Sequence, residues 1–325
     1  MQKKDFKNIF LSYFHRKYSL DDFLNTYPID RKNIKLVEYN NQIRVQYDLK
    51  NLPDSIKLKN YHTFLNNILF NYLKVSKNVY SYKKNSTILQ MIEKHKNSKY
   101  YFKTDIESFF HSITKDMIKT CIKNNIENLP IENIDDKTID IILKMITYNN
   151  TLAVGFTTSP SISNAILYNF DIAMDQYCQK KDIIYNRYCD DLVFSSDKKF
   201  NKIEVVIENL LVENYKNQFK LNQKKSKYLD KTNRVKILGL IITPDGHITI
   251  PKERKENIRK LLYFFATDSE KFSYFLKIHY KNSLSKAYGE LNYINDIDSE
   301  FIIFLRKKYG NFVIDKFLHG DKRSG

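Results

Sequence analysis

The run Asn186–Ser196, NRYCDDLVFSS, is the tightest constraint on how this chain can fold. It sets Asp190 and Asp191 side by side between the apolar stretches DIIY and LVF. Apolar flanks of this length read as two buried strands, and the polar tetrapeptide between them as a sharp turn. A strand sends neighbouring side chains to opposite faces, whereas a turn can present two adjacent carboxylates at one tip. Carboxylates packed this closely repel, and a divalent cation relieves that repulsion because hard oxygens suit Mg²⁺. Asp is also a common turn residue, so the tetrapeptide alone fits an ordinary acidic hairpin equally well.

Bulk properties bound the partners. The 325 residues are 42% hydrophobic, enough for a sizeable core. Lys and Arg number 54 against 37 Asp and Glu, a net charge of +17. A basic globular surface points to nucleic acid, and a Lys-rich composition used for solubility is the plainer alternative. Cys121, Cys178 and Cys189 show no CxxC spacing, so neither a zinc site nor a disulfide framework is expected. No leader-like N-terminus and no long apolar run is present, so the expectation is a cytoplasmic protein without membrane contact.

With only 7 Gly and 6 Pro, and no repeat or low-complexity linker, the chain reads as one continuous multi-lobed unit. Helix is expected up to about residue 30, and a hairpin over Ile34–Leu49 with NNQ as its turn. Tyr61–Leu73 reads as helix, and Lys99–Phe110 as a strand entering a turn. Ser159–Lys181 reads as one long amphipathic helix, with Ser159 as N-cap and Pro160 in the first turn. Lys202–Phe219 reads as helix. Two strands joined by Pro244-Asp245-Gly246 follow, then helices from Pro251 with breaks near Asp268 and Asn295.

A second acid changes the weight of the first pair. Asp105 follows the aromatic stretch YYF after Lys103 and Thr104, so two strands end in carboxylates within a strongly basic protein. That pattern suits a two-metal site for phosphoryl or nucleotidyl transfer. The ordered series is longer: Asp105 with Phe109 and Phe110, GFTTSPSISN at Gly155–Asn164, YCDD at Tyr188–Asp191, LNQKKSK at Leu221–Lys227, and ILGLII at Ile237–Ile242. This series resembles motifs A to E of the reverse transcriptases, and most of all those of bacterial retrons and related anti-phage defence systems. It covers the chain from the Ile34 hairpin to Lys307–Gly310.

The resemblance implies an α+β, right-hand polymerase. Fingers would occupy about 1–100, and the palm, an antiparallel sheet plus helices, 101–250 with a fingers insertion near 112–150. A helical thumb would occupy 251–325. It implies two Mg²⁺ ions held by Asp105 and Asp190, with Asp191 completing the acidic cluster and Lys225 placed to protonate the leaving pyrophosphate. Phe110 falls at the ribose gate that selects dNTPs. Ile106, Gly155 and Phe156 would line the nucleotide. Thr158, Ser159 and Pro160 would meet the template, Leu238 and Gly239 the primer, and Lys252 and Arg254 the duplex backbone. The implied partners are a structured non-coding RNA serving as template and primer, its cDNA, dNTPs and a separate effector protein.

Read as residues alone, Phe109 and Phe110 are core aromatics, TTSP is a good helix start and Lys225 lies in a solvated basic run. Lys74–Lys103 carries eight Lys against Glu93, with Tyr80, Tyr82, Tyr100 and Tyr101 interleaved, and Asn214–Lys236 is similarly basic. Such stretches can neutralise phosphates and stack on bases. Three departures stand out. Leu152-Ala153-Val154-Gly155 replaces Leu-Pro-Gln-Gly, only His95 of Met91–His95 matches the retron Asn-Ala-x-x-His element, and Ile237-Leu238-Gly239 replaces Val-Thr-Gly. They point to a divergent retron enzyme or another defence-associated reverse transcriptase. A polymerase making untemplated DNA and a silent RNA-binding scaffold are the competing readings. Nothing after the helical third is expected to supply an RNase H or endonuclease domain.

Overall fold

The computed structural model describes residues 3–25, 34–39, 42–48, 54–132 and 134–319. Of the three residues expected to turn the first hairpin, Asn40 and Asn41 lie outside these, and Gln42 instead opens the second strand opposite Tyr39. Two compact units are each assembled from interleaved segments. The first takes residues 1–87, 102–194 and 200–227, and the second 88–101, 195–199 and 228–325.

The first unit is anchored by aromatic packing. Phe64, on the helix Asp54–Ile68, meets Phe6, Phe10, Phe14 and Phe23 at ring separations of 5.9, 5.3, 5.3 and 6.2 Å. Each such pair adds about 0.5–1.5 kcal/mol beyond area burial, which pins the helix Phe6–Tyr13 to this core. The hairpin Ile34–Tyr39 and Gln42–Tyr47 pairs antiparallel, Ile34 opposite Tyr47 and Leu36 opposite Val45. Its buried residues Ile34 and Val45 pack on Leu58, Ala153 and Phe156. Helices Lys115–Lys123 and Asp136–Ile146 begin where the side chains of Thr114 and Asp135 cap the N–H groups of Met117 and Thr138.

The expected long helix over 159–181 is two helices, Ser159–Ile166 and Tyr168–Gln179, broken at Leu167. Two carbonyls at the break are drawn to other donors. Arg187 takes the oxygen of Asn164 at 3.0 Å, and the Tyr215 hydroxyl takes that of Ile166 at 2.8 Å. Thr158, not Ser159, occupies the N-cap, without a side-chain cap bond, and the Ser159 hydroxyl donates to the Ala153 carbonyl at 2.5 Å. Strands Tyr100–Asp105, Asp191–Ser196 and Ile184–Tyr188 lie side by side in that order. They bring Asp105 beside the turn between the last two.

The second unit carries a three-stranded antiparallel sheet, Val235–Ile237, Leu240–Ile242 and Ile248–Thr249, where two strands were expected. The additional turn is at Leu238 and Gly239. Both have positive φ, 48° and 81°, the type I′ pattern of a two-residue hairpin. Five helices follow: Lys252–Thr267, Ser269–Tyr280, Leu284–Ile297, Ser299–Tyr309 and Asn311–His319. The break at Asp268 falls where expected, and the break near Asn295 falls at Asp298. Further breaks come at left-handed Lys281 and Asn282 and at Gly310, φ 87°. Asp298 is almost wholly buried and caps Phe301 N–H at 3.0 Å. It also takes Lys255 at 2.7 Å and the Thr249 hydroxyl. Burial pushes its carboxyl up, but these partners together hold it below the ordinary value. No helix among the described residues is long and apolar enough to cross a membrane.

Candidate active site

Asp105 ends its strand almost fully buried, 4% exposed. Its backbone carbonyl accepts from Asn222 N–H at 2.9 Å, and the Ile106 N–H donates to the Asp190 carbonyl at 3.1 Å. The second bond fastens the end of one acidic strand to the turn of the other, and the first ties it to the segment that carries Lys225. One carboxylate oxygen of Asp105 accepts from Lys225 Nζ at 2.9 Å, while the other is buried with no hydrogen-bond partner. A buried, unpartnered carboxylate oxygen is costly unless something fills its coordination. Asp105, Asp190, Lys225, Asn222, Ile106 and Phe110 line one pocket of about 270 Å³. A larger cavity of about 490 Å³, around Cys121, Asn125, Tyr168 and Tyr215, is lined by none of Asp105, Asp190 and Asp191.

The acids disturb one another. Burial raises the Asp190 carboxyl, and the charge of Asp105 adds to the rise. Asp191 is pushed up to about 6, first by burial and then by the charges of Asp190 and Asp105. The Lys225 ammonium is held protonated by its hydrogen bond to Asp105. Among the described residues, no three His, Cys, Asp or Glu side chains converge closely enough to cage a metal ion. Mg²⁺ does not require a cage, since it is commonly held by one or two carboxylates plus water and substrate phosphates. The unpartnered Asp105 oxygen beside Asp190 fits that mode.

The turn carrying the acids has Cys189 at φ 58°, and Asp190 is not in the left-handed region. A positive φ at only the first central residue is the type II′ pattern, which favours glycine there. A cysteine in this region costs roughly 1–2 kcal/mol. The structure holds it from both sides. Its N–H donates to the Ser81 hydroxyl at 2.8 Å, and its carbonyl accepts from Arg187 Nη1 at 2.8 Å. Ser81, Asn164, Asp171 and Arg187 were not singled out as functional from the sequence. The available signal was an arginine in a strand, IYNRY, that alternation places in the core.

The other expected residues separate clearly. Both phenylalanines line the acidic pocket, but Phe109 is buried against Phe219 whereas Phe110 is only half-buried. Ile106 lines that pocket although its side chain belongs to the core. Phe156 is buried, stacked on Tyr47 at 5.4 Å and close to His62 at 4.6 Å, and does not line the pocket. Gly155 precedes it at φ 110°, where an added Cβ would stand 2.3 Å from the Val45 carbonyl oxygen. The chain turns under the hairpin there and carries Phe156 inward. His62 is buried and held neutral, its pKa lowered to about 4 by burial. Its Nε2 therefore donates to the Met145 carbonyl at 3.0 Å, and Nδ1 accepts from the Tyr47 hydroxyl at 2.7 Å. Thr158 and Ser159 are buried, leaving Pro160 partly exposed.

Leu238, Gly239, Lys252 and Arg254 belong to the second unit. Gly239 is exposed at its hairpin turn, and Lys252 is exposed beside Glu256. Arg254, expected on the duplex backbone, is engaged within the protein. It bonds Glu290 at 2.6 Å and lies over the Tyr293 ring at 4.8 Å.

A family model for reverse transcriptase (RNA-dependent DNA polymerase) matches residues 47–242, spanning both acidic strands and the pocket. The chain belongs to the reverse transcriptase family. It is an RNA-directed DNA polymerase, similar to the retron type. The Retron Ec73 reverse transcriptase of Escherichia coli is 28% identical over 264 residues, 78% of this chain and 81% of that protein. The Retron Ec83 reverse transcriptase of Escherichia coli is 26% identical over 245 residues, 72% of this chain and 74% of that protein. Among solved structures, apo telomerase from Candida tropicalis aligns with a TM-score of 0.50 at 14% identity. That match covers 88% of this chain and 60% of the telomerase chain, and shows the shared polymerase fold.

The raised Asp191 carboxyl gives a signed pH prediction. Its folded pKa lies above the unfolded value, so the folded state takes up a proton that the unfolded state does not between about 6 and 4. Above pH 6 the buried charge therefore costs stability, and the cost fades on acidification. Asp191→Asn should raise the melting temperature in EDTA at pH 7.5, and the gain should shrink as pH falls through 6. Thermal melts across pH 5–8 check this, and a gain independent of pH would refute the assignment.

Proposed function

We propose that this reverse transcriptase copies a structured non-coding RNA into cDNA by two-metal nucleotidyl transfer, as retron msDNA synthesis in anti-phage defence. The observation that carries the reading is the convergence of Asp105, Asp190, Lys225 and Phe110 on one small pocket. Asp105 and Asp190 would hold Mg²⁺ there, which when bound activates the primer hydroxyl and neutralises charge on the leaving pyrophosphate. Asp191 adds negative potential from the strand start. Lys225, kept protonated by Asp105, is the proton donor to the leaving group once cation and dNTP compete for that carboxylate.

Phe110 is the ribose gate, exposed to the pocket while Phe109 anchors it in the core by an edge contact at 5.6 Å. Fingers, palm and thumb are assigned to about 1–100, 101–250 and 251–325. The names of the retron relatives support the retron role. The basic excess supports an RNA partner. Dinucleotide-scale stacking on Tyr82, which is 52% exposed and 6.5 Å from the Tyr188 ring, suits an unpaired strand near the turn.

Asp190→Asn should reduce primer extension by at least about 10³-fold while RNA affinity stays within about twofold, since the loss is of transition-state stabilisation only. Joint loss of folding and RNA binding would make Asp190 structural instead. Phe110→Val should admit rNTPs, read as extension with rNTP against dNTP on one template. Unchanged discrimination would move the gate elsewhere.

A further inference from the structure

Beside the pocket lies a closed ring of buried polar groups. Ser81, Asn164, Asp171 and Arg187 are each 2% exposed or less. Ser81 Oγ donates to Asn164 Oδ1 at 2.9 Å, and Asn164 Nδ2 donates back to the Ser81 carbonyl at 2.7 Å. Arg187 Nη2 donates to the Asn164 carbonyl at 3.0 Å and to Asp171 at 2.6 Å, and Nε donates to Asp171 at 2.8 Å. Tyr185 adds its hydroxyl to Asp171 at 2.7 Å. The ring closes on one residue, Cys189, whose N–H goes to Ser81 and whose carbonyl goes to Arg187.

The register of this ring comes from the backbone. The segment around Val79 bridges Arg187 in parallel. Arg187 N–H donates to the Asn78 carbonyl and Tyr80 N–H to the Arg187 carbonyl, both at 2.9 Å. That pairing advances Ser81 alongside Cys189. The one turn residue with a disfavoured backbone is thus the one whose two peptide groups are both gripped by buried side chains.

We propose that Ser81, Asn164, Asp171 and Arg187 are positioning residues, a clamp that holds Cys189 in its left-handed conformation and so aims Asp190 and Asp191. The inference rests on the reading that these acids carry the chemistry. The clamp acts through the turn and touches neither dNTP nor primer. It predicts an effect on turnover rather than on nucleotide affinity. It also predicts that the clamp matters less when residue 189 is glycine, which adopts positive φ without strain.

Arg187→Ala would strand Asp171 in the core and is expected to prevent folding. Ser81→Ala leaves that pair intact and is the variant to use. The full-length protein, Ser81→Ala, Cys189→Gly and the double variant are assayed on poly(rA)·oligo(dT) with dTTP. Ser81→Ala should lower kcat about ten- to a hundredfold, the scale of an ångström-level misplacement, with KM for dTTP within about twofold. In the Cys189→Gly background the same substitution should cost much less. A second readout is independent of activity. Maleimide labelling of buried Cys189, mapped by mass spectrometry, should quicken in Ser81→Ala. Unchanged labelling, or an equal Ser81→Ala loss in both backgrounds, would overturn the clamp. Faster labelling with unchanged kcat would show that the turn is held but that the acids it carries are not catalytic, which overturns the reading beneath it.

Discussion

The buried Arg187–Asp171 pair is the interaction on which the rest of the first unit depends. Both side chains are fully buried, and every bond Arg187 makes goes to a group that is itself fixed. A guanidinium in a protein interior cannot shed its charge, so it must be matched in place. Removing one partner of such a pair costs about 3–5 kcal/mol, because the other charge is left unmatched. The pair buys placement more than net stability. It draws a carbonyl out of the Ser159–Ile166 helix, ties the helix Tyr168–Gln179 to the strand Ile184–Tyr188, and ends on the turn that bears the acids.

The electrostatics of the pocket follow from that placement. Two strands deliver carboxylates into a partly desolvated space, where burial and then the neighbouring charges raise the Asp190 and Asp191 carboxyls. Lys225 offsets only part of this charge, through a single oxygen of Asp105. The other oxygen remains unpartnered, and Asp190 faces the same cavity. A protein that spends stability on unneutralised acids in one cleft is poised for cationic ligands. Under the proposed function, cations arriving with the nucleotide would meet that requirement during the reaction rather than in the fold.

Much of the site was legible because its signals are local. A strand ending in Asp105, a hairpin tipped by Asp190 and a pair of adjacent phenylalanines all show in a few consecutive residues. The α+β architecture and the helical C-terminal third were legible for the same reason. What stayed hidden depends on long-range contacts. Ser81 and Asn164 are 83 residues apart, and nothing local marks either as buried. The helix break at Leu167 comes from donors on Arg187 and Tyr215, outside the helix. Ile237–Ile242 looked like one apolar strand, yet Leu238 and Gly239 fold it back on itself. The ion pair of Arg254 with Glu290 and its place over Tyr293 likewise join residues more than thirty positions apart.

The central claim is that Asp105 and Asp190 form the cation-binding face of the polymerase. Anomalous diffraction from crystals of the full chain with Mn²⁺ and a non-hydrolysable dNTP analogue tests it most directly. The account predicts manganese against the Asp105 and Asp190 carboxylates, with Lys225 Nζ displaced from Asp105 toward the triphosphate. Manganese absent from both carboxylates, with the Lys225–Asp105 pair intact and the nucleotide bound elsewhere, would contradict it.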